Sequence, residues 1–131
     1  MGAWGHNIFE NDDALDFLGE VEELGKDKLT EKILSVAELD EADYLEATDA
    51  SECLAAIEYF AAAKGRPSGD FPAEADTWLK QNSPLPVIET EIMKSTLVRI
   101  RNKSELQELW EEADELTDWL KTIDDLEKRL G

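Results

Sequence analysis

Apolar side chains recur every three or four positions along most of the chain, a spacing that predicts helices. Ala14, Leu15, Leu18, Val21 and Leu24 mark the first. Asn11 is placed to cap it, because its side-chain oxygen can accept a free amide of the first turn. Asp12 and Asp13 follow, where the helix dipole favours negative charge. Gly25 suits the other end, and Phe9 is expected to pack across the helix start onto Leu15. A second helix is predicted over Lys28 to Glu38, with Leu29, Ile33, Val36 and Ala37 on its apolar face. The stretch from Asp40 to Thr48 is acidic and less periodic, with Tyr44 and Leu45 expected to turn inward.

A third helix is predicted to begin near Asp49, with Glu52 completing a capping box in which Asp replaces Ser. Its stripe is Leu54, Ile57, Ala61 and Ala62, and Gly65, Arg66 and Pro67 end it. Pro72 fits the first position of a short fourth helix that turns Trp78 and Leu79 inward. The string NSPLP stops that helix. A fifth is predicted from Pro86 to Arg101, carrying Ile88, Ile92, Leu97 and Ile100. Ser104 with Gln107 reads as a further capping box. It opens a tail in which Leu106, Leu109, Ala113, Leu116, Leu120, Ile123 and Leu130 hold helical spacing. Unbroken, that tail would span about 40 Å at 1.5 Å per residue, so a kink is expected near Ala113 to Glu115. No alternating apolar run argues for a sheet. The expectation is a single all-α domain over residues 1–131, a compact bundle of five to six helices with a long, kinked C-terminal helix.

Composition adds a sign to this body. The net charge is −19, and it is uneven. Residues 1–60 carry 17 acidic and 3 basic side chains, and the remainder 15 and 10. Four Trp, four Phe and two Tyr supply bulky anchors that a disordered acidic chain lacks. The fifth helix is the one basic element, with Lys94, Arg99, Arg101 and Lys103 near its end; these cations suit the dipole and offset the acids of the first half. A field of this sign repels nucleic acid and anionic membranes and attracts cationic partners, and it also serves solubility. The single Cys53 allows no internal disulfide, which fits a reducing compartment. No run approaches a membrane span and no basic leader opens the chain, so a cytoplasmic protein is expected.

The opening GAWG, then Phe9 and NDDALDF, resembles the bacterial family of domains of unknown function DUF4259. The likeness extends to an alanine-rich middle helix ending in GRP, a short Pro-led helix with Trp, and a tail that begins SELQELW. Where family members carry a Thr-Gly-Pro-like turn after the second glycine, this chain reads His6, Asn7, Ile8. The resemblance implies a fold and its boundaries. It implies no activity.

The opening motif has two readings. In the structural one, Gly2 and Gly5 permit close approach, Trp4 fills a pocket, and Phe9, Asn11, Asp12 and Asp16 latch the N-terminus onto the first helix. Asp12 and Asp16 lie one turn apart and share a face. In the chemical one, His6, Glu10, Asp12, Asp13 and Asp16 form a metal or acid–base cluster, and the chain is a metal-dependent enzyme or regulator. The structural reading is preferred, because caps and tight turns use the same residues and the chain carries no metal or catalytic motif. No enzyme activity, metal or cofactor is expected. The leading functional expectation is a small protein-binding domain whose acids meet a basic protein, such as an immunity protein neutralising a cationic nuclease toxin. The contact residues expected are Glu38, Asp40, Glu41, Asp43, Glu46 and Asp49, with Tyr44 as their aromatic anchor. A purely structural domain, dimerising through the last helix, is the further alternative.

Overall fold

The computed structural model describes residues 5–131. Among them are seven helices and no strand: α1 (Asp12–Leu24), α2 (Asp27–Ala37), α3 (Ala47–Ala63), α4 (Ala73–Asn82), α5 (Thr90–Asn102), α6 (Glu105–Glu112) and α7 (Leu116–Leu130). The class is all-α, with one helix more than the upper expectation. The extra helix arises in the tail, which breaks instead of bending. Ala113 ends α6 and Asp114 turns into the left-handed region at φ 64°. The Glu115 amide donates to the Trp110 carbonyl and the Asp114 amide to that of Glu111. This paired closure is the Schellman motif. The same closure ends α3, where Gly65 (φ 81°) holds the left-handed position and the Arg66 and Gly65 amides reach the Ala61 and Ala62 carbonyls.

The centre of the fold is α3. It packs on α1, α2, α4, α5, α6 and α7. Its run from Cys53 to Ala61 is buried without interruption, so this stretch is enclosed on every side and, apart from Glu58, apolar. Its alanines let the neighbours approach. The helix starts earlier than the capping-box reading placed it. Glu46 takes the N-cap position without a side-chain cap, and Asp49 lies inside the first turn.

The outer helices bury one stripe each. On α1 the stripe is Ala14, Phe17, Leu18 and Val21, whereas Leu15 and Leu24 face solvent. Leu15, the expected partner of Phe9, is 40% exposed; the Phe9 ring meets Phe71 edge-on, and Tyr59 stacks in the same manner against Phe71 and Trp78. On α7 the stripe is Trp119, Ile123, Leu126 and Leu130, packed towards α5, α3 and α6. Pro72 sits one position before its predicted place, at the N-cap of α4. The fifth helix begins at Thr90 rather than Pro86, and the segment before it holds a cis Ser83–Pro84 peptide. Asn11 and Ser104 cap as predicted, accepting the Ala14 and Gln107 amides at 2.8 and 3.0 Å. The return arm of the second box, from the Ser104 amide to the Gln107 side-chain oxygen, is not made, and the Gln107 side-chain amide donates to Glu111. No described helix is long and apolar enough to cross a membrane.

Candidate functional site

Two places on this body concentrate charge. The first is the connection from Glu38 to Glu46, between α2 and α3. It has no regular structure of its own, and among the bonds described only one pairs its own main chain, the Asp43 amide to the Asp40 carbonyl, so most of its carbonyls look to other donors. The end of α5 supplies them. The Arg99 guanidinium donates to the carbonyls of Asp40 and Asp43, and the Lys103 ammonium to that of Glu41. Leu45 is buried, and its carbonyl accepts the Glu105 amide at 2.8 Å, while the Glu105 carboxylate takes the Ala47 amide at 2.8 Å. The basic element thus meets the acids of the first half through their main chain, not through their carboxylates.

The carboxylates are left facing outward. Glu38, Asp40, Glu41, Asp43 and Glu46 are exposed, and among the described residues none of them enters an ion pair. Asp43 accepts the Asp40 amide, which tightens the turn. Asp49 differs from the rest of the expected set, because Lys32 of α2 bridges it and Glu52 at 3.1 and 2.9 Å. Burial pulls the Lys32 ammonium down, yet its bonds to the two acids outweigh that and leave its pKa raised. Tyr44 stands 60% exposed, where an inward position was expected. Its hydroxyl donates to Glu108 of α6 at 2.9 Å, and that bond, with the acids around it, pushes the phenol up to about 12.

The second place is a cleft of about 420 Å³ between the N-terminal segment, the Ser68–Asp70 turn and α7. Its floor is an ion pair that pattern reading had not identified. Glu58 is the one charged residue in CLAAIEYFAAA, and the burial of α3 carries it inside. Arg129 of α7 reaches it with both terminal nitrogens, at 2.6 and 3.1 Å. Burial pushes the Glu58 carboxyl up and Arg129 only partly opposes it, while the charge of Asp70 adds to the rise. A lone acid inside an alanine-rich helix is the signal that points to such a pair. Its partner lies 71 residues away, beyond any local pattern.

The opening motif lies beside this cleft. Gly2 and Trp4 fall outside the described residues. A Cβ on Gly5 would stand 2.5 Å from the Glu10 carboxylate, so the glycine lets that side chain fold back over it. The His6 ring pairs with the Thr122 hydroxyl across the cleft at 3.3 Å, and the Phe9 amide donates to Asp70 at 3.2 Å. Asp12 and Asp16 stay exposed on α1. His6, Glu10, Asp12, Asp13 and Asp16 are thus not gathered into one cluster, and among the described residues no three His, Cys, Asp or Glu side chains form a metal-binding group. Cys53 is fully buried, and burial pushes its thiol up, so it packs as a small apolar side chain.

A family model described as domain of unknown function (DUF4259) matches residues 2–122. The chain belongs to this family. The match takes in the opening motif, α1 to α6 and the first half of α7, and leaves Asp125 and Arg129 beyond its end. No match is found among curated proteins or among solved structures.

Proposed function

We propose that this member of the family is a protein-binding domain that engages a basic protein through the Glu38–Glu46 connection. The observation that carries the reading is the division of labour in that segment. Its carbonyls are held by Arg99 and Lys103, while five carboxylates remain outward and free of ion pairs among the described residues. A held loop loses little freedom on association, so more of the contact energy appears as affinity. The outward acids steer a cationic surface towards it and fix its orientation. Tyr44 offers an exposed ring in their midst, with its hydroxyl already anchored on Glu108. Tyrosines of this kind dominate many interfaces.

The narrower form of the reading is an immunity protein that covers the active site of a cationic toxin, such as a nuclease, whose electropositive cleft is built to meet phosphates. Its acids would compete directly with the nucleic-acid substrate for that cleft. The test is recovery of the tagged chain from its own host at low salt, beside a D40K/E41K/D43K variant. A basic protein retained by the wild type, released by salt and absent from the variant supports the reading. Retention of no basic protein, or equal retention by both, refutes it.

A further inference from the structure

We propose that a single water molecule is bound in a small cavity beneath the Gly5–Ile8 segment, held there by the Ser51 hydroxyl of α3. This goes beyond the protein-binding reading and does not rest on it.

Among the described residues, four polar or charged ones are buried: Ser51, Glu58, Thr96 and Ser104. Glu58 is paired with Arg129. Thr96 and Ser104 turn their hydroxyls back along the chain and donate to the Ile92 and Ile100 carbonyls, four residues earlier, at 2.8 and 2.7 Å. A helical hydroxyl out of reach of solvent is commonly satisfied in this way. Ser51 makes no such bond. Its Oγ is buried without a partner, a condition that native interiors rarely tolerate, because the group gives up its hydration and gains nothing in return.

The same side chain lines a cavity between α3, α6, α7 and the N-terminal segment, with Leu54, Trp110 and Trp119 among its apolar walls. About 10 Å³ is open to the centre of a water-sized molecule, which suits one water and nothing larger. A bound water needs two to four polar partners, and three groups meet here. The Ser51 hydroxyl both donates and accepts. Asn11, also in the lining, gives its side-chain oxygen to the Ala14 amide and one amide proton to the Ile8 carbonyl at 3.0 Å, and it keeps the second proton. Gly5 has no side chain, so its main chain is what faces the cavity. These groups belong to the central helix, the cap of α1 and the N-terminal segment. A water bonded to all three ties that segment to α3. His6, Asn7 and Ile8 border this cavity and also the open cleft over Glu58, so the same water steadies one wall of the cleft.

Cross-relaxation between water and the amides of the isotope-labelled full chain detects a water held far longer than those of the surface. Cross peaks are expected at the Asn11 side-chain amide and at the main-chain amides of residues 5–7. A crystal structure at atomic resolution should place one water within about 3 Å of Ser51 Oγ. S51A adds one more alanine to a helix already rich in them, and it should lose the cross peaks. Amide exchange over residues 5–8 should then quicken by about fivefold, the weight of one lost hydrogen bond, while Cys53–Ala61 stays protected. If S51A does not fold, the wild-type cross peaks and crystal structure decide alone. No cross peaks in the wild type, cross peaks and exchange unchanged in S51A, or a crystal structure in which the Ser51 hydroxyl reaches the Ala47 carbonyl with no water beside it overturns the proposal.

Discussion

Arg129, near the end of the last helix, closes both terminal nitrogens on the carboxylate of Glu58 in the middle of the central helix, at 2.6 and 3.1 Å. The contact ties α7 to α3 through a charge that the apolar neighbours of Glu58 cannot stabilise. Removing one partner is therefore worse than removing both. R129A leaves a buried carboxylate unpaired and should cost about 3–5 kcal/mol. E58Q keeps the shape and a hydrogen-bonding group and should cost about 1–3 kcal/mol. An E58L/R129M double variant should recover much of the R129A loss, as apolar replacements of buried pairs often do. Urea denaturation of the three variants measures the order; R129A no worse than E58Q would show that the pair is not buried in solution.

The same carboxyl gives stability a pH slope. Its folded pKa is raised by burial, so the folded chain holds that proton more tightly than the unfolded one. The contribution is full below the ordinary Glu range and is lost as pH rises through the raised folded value. Self-repulsion within a chain of net charge −19 acts in the same direction, because it grows as carboxyls ionise. The melting temperature should rise as pH is lowered from 8 towards 5. The rise should be smaller in E58Q and smaller again in high salt, which screens the repulsion. Thermal melts across that range, with and without salt, check both signs.

How far the sequence disclosed this fold depends on how local each determinant is. Asn11 and Ser104 cap as their own neighbours dictate. Gly65 closes α3 with the left-handed turn its missing side chain favours. The break at Asp114 was expected only as a bend, because an aspartate at the left-handed position carries no glycine-like signature. The α5 start slipped by four residues, since Ile88 continues the apolar rhythm through an extended segment. The charge of the acidic connection marks it in the sequence, whereas the clamp by Arg99 and Lys103 has no such mark, because main-chain carbonyls carry no residue type. Glu58 was visible as an oddity in an apolar run; Arg129 became its partner only when the chain folded.

The clamp itself should be measurable. R99A/K103A removes the side-chain donors to the Asp40, Glu41 and Asp43 carbonyls, leaving the Asp40 carbonyl the Asp43 amide and turning the other two to water. Those bonds lie at the surface, so the global cost should be small, about 1 kcal/mol. Local order should fall much more. Amide exchange within residues 38–46 should speed up while α3 stays protected. Unchanged exchange there would mean that the loop is held by its own turn and not by α5.

The turn at Asp114 stores strain that glycine can release. The φ of 64° is unfavourable for a residue with a Cβ, by about 1–2 kcal/mol. The homologous closure of α3 uses Gly65 at φ 81° with the same pair of hydrogen bonds. D114G should therefore stabilise the chain, less about 0.5–1 kcal/mol for the extra freedom of glycine in the unfolded state, for a net gain of about 0.5–1 kcal/mol. D114A keeps the Cβ and loses the polar side chain that eases the left-handed conformation, and it should be less stable than the wild type. A thermal shift series of the three proteins decides it. Equal melting temperatures for D114G and D114A would mean that residue 114 is not held in the left-handed region, and that α6 and α7 join as one bent helix.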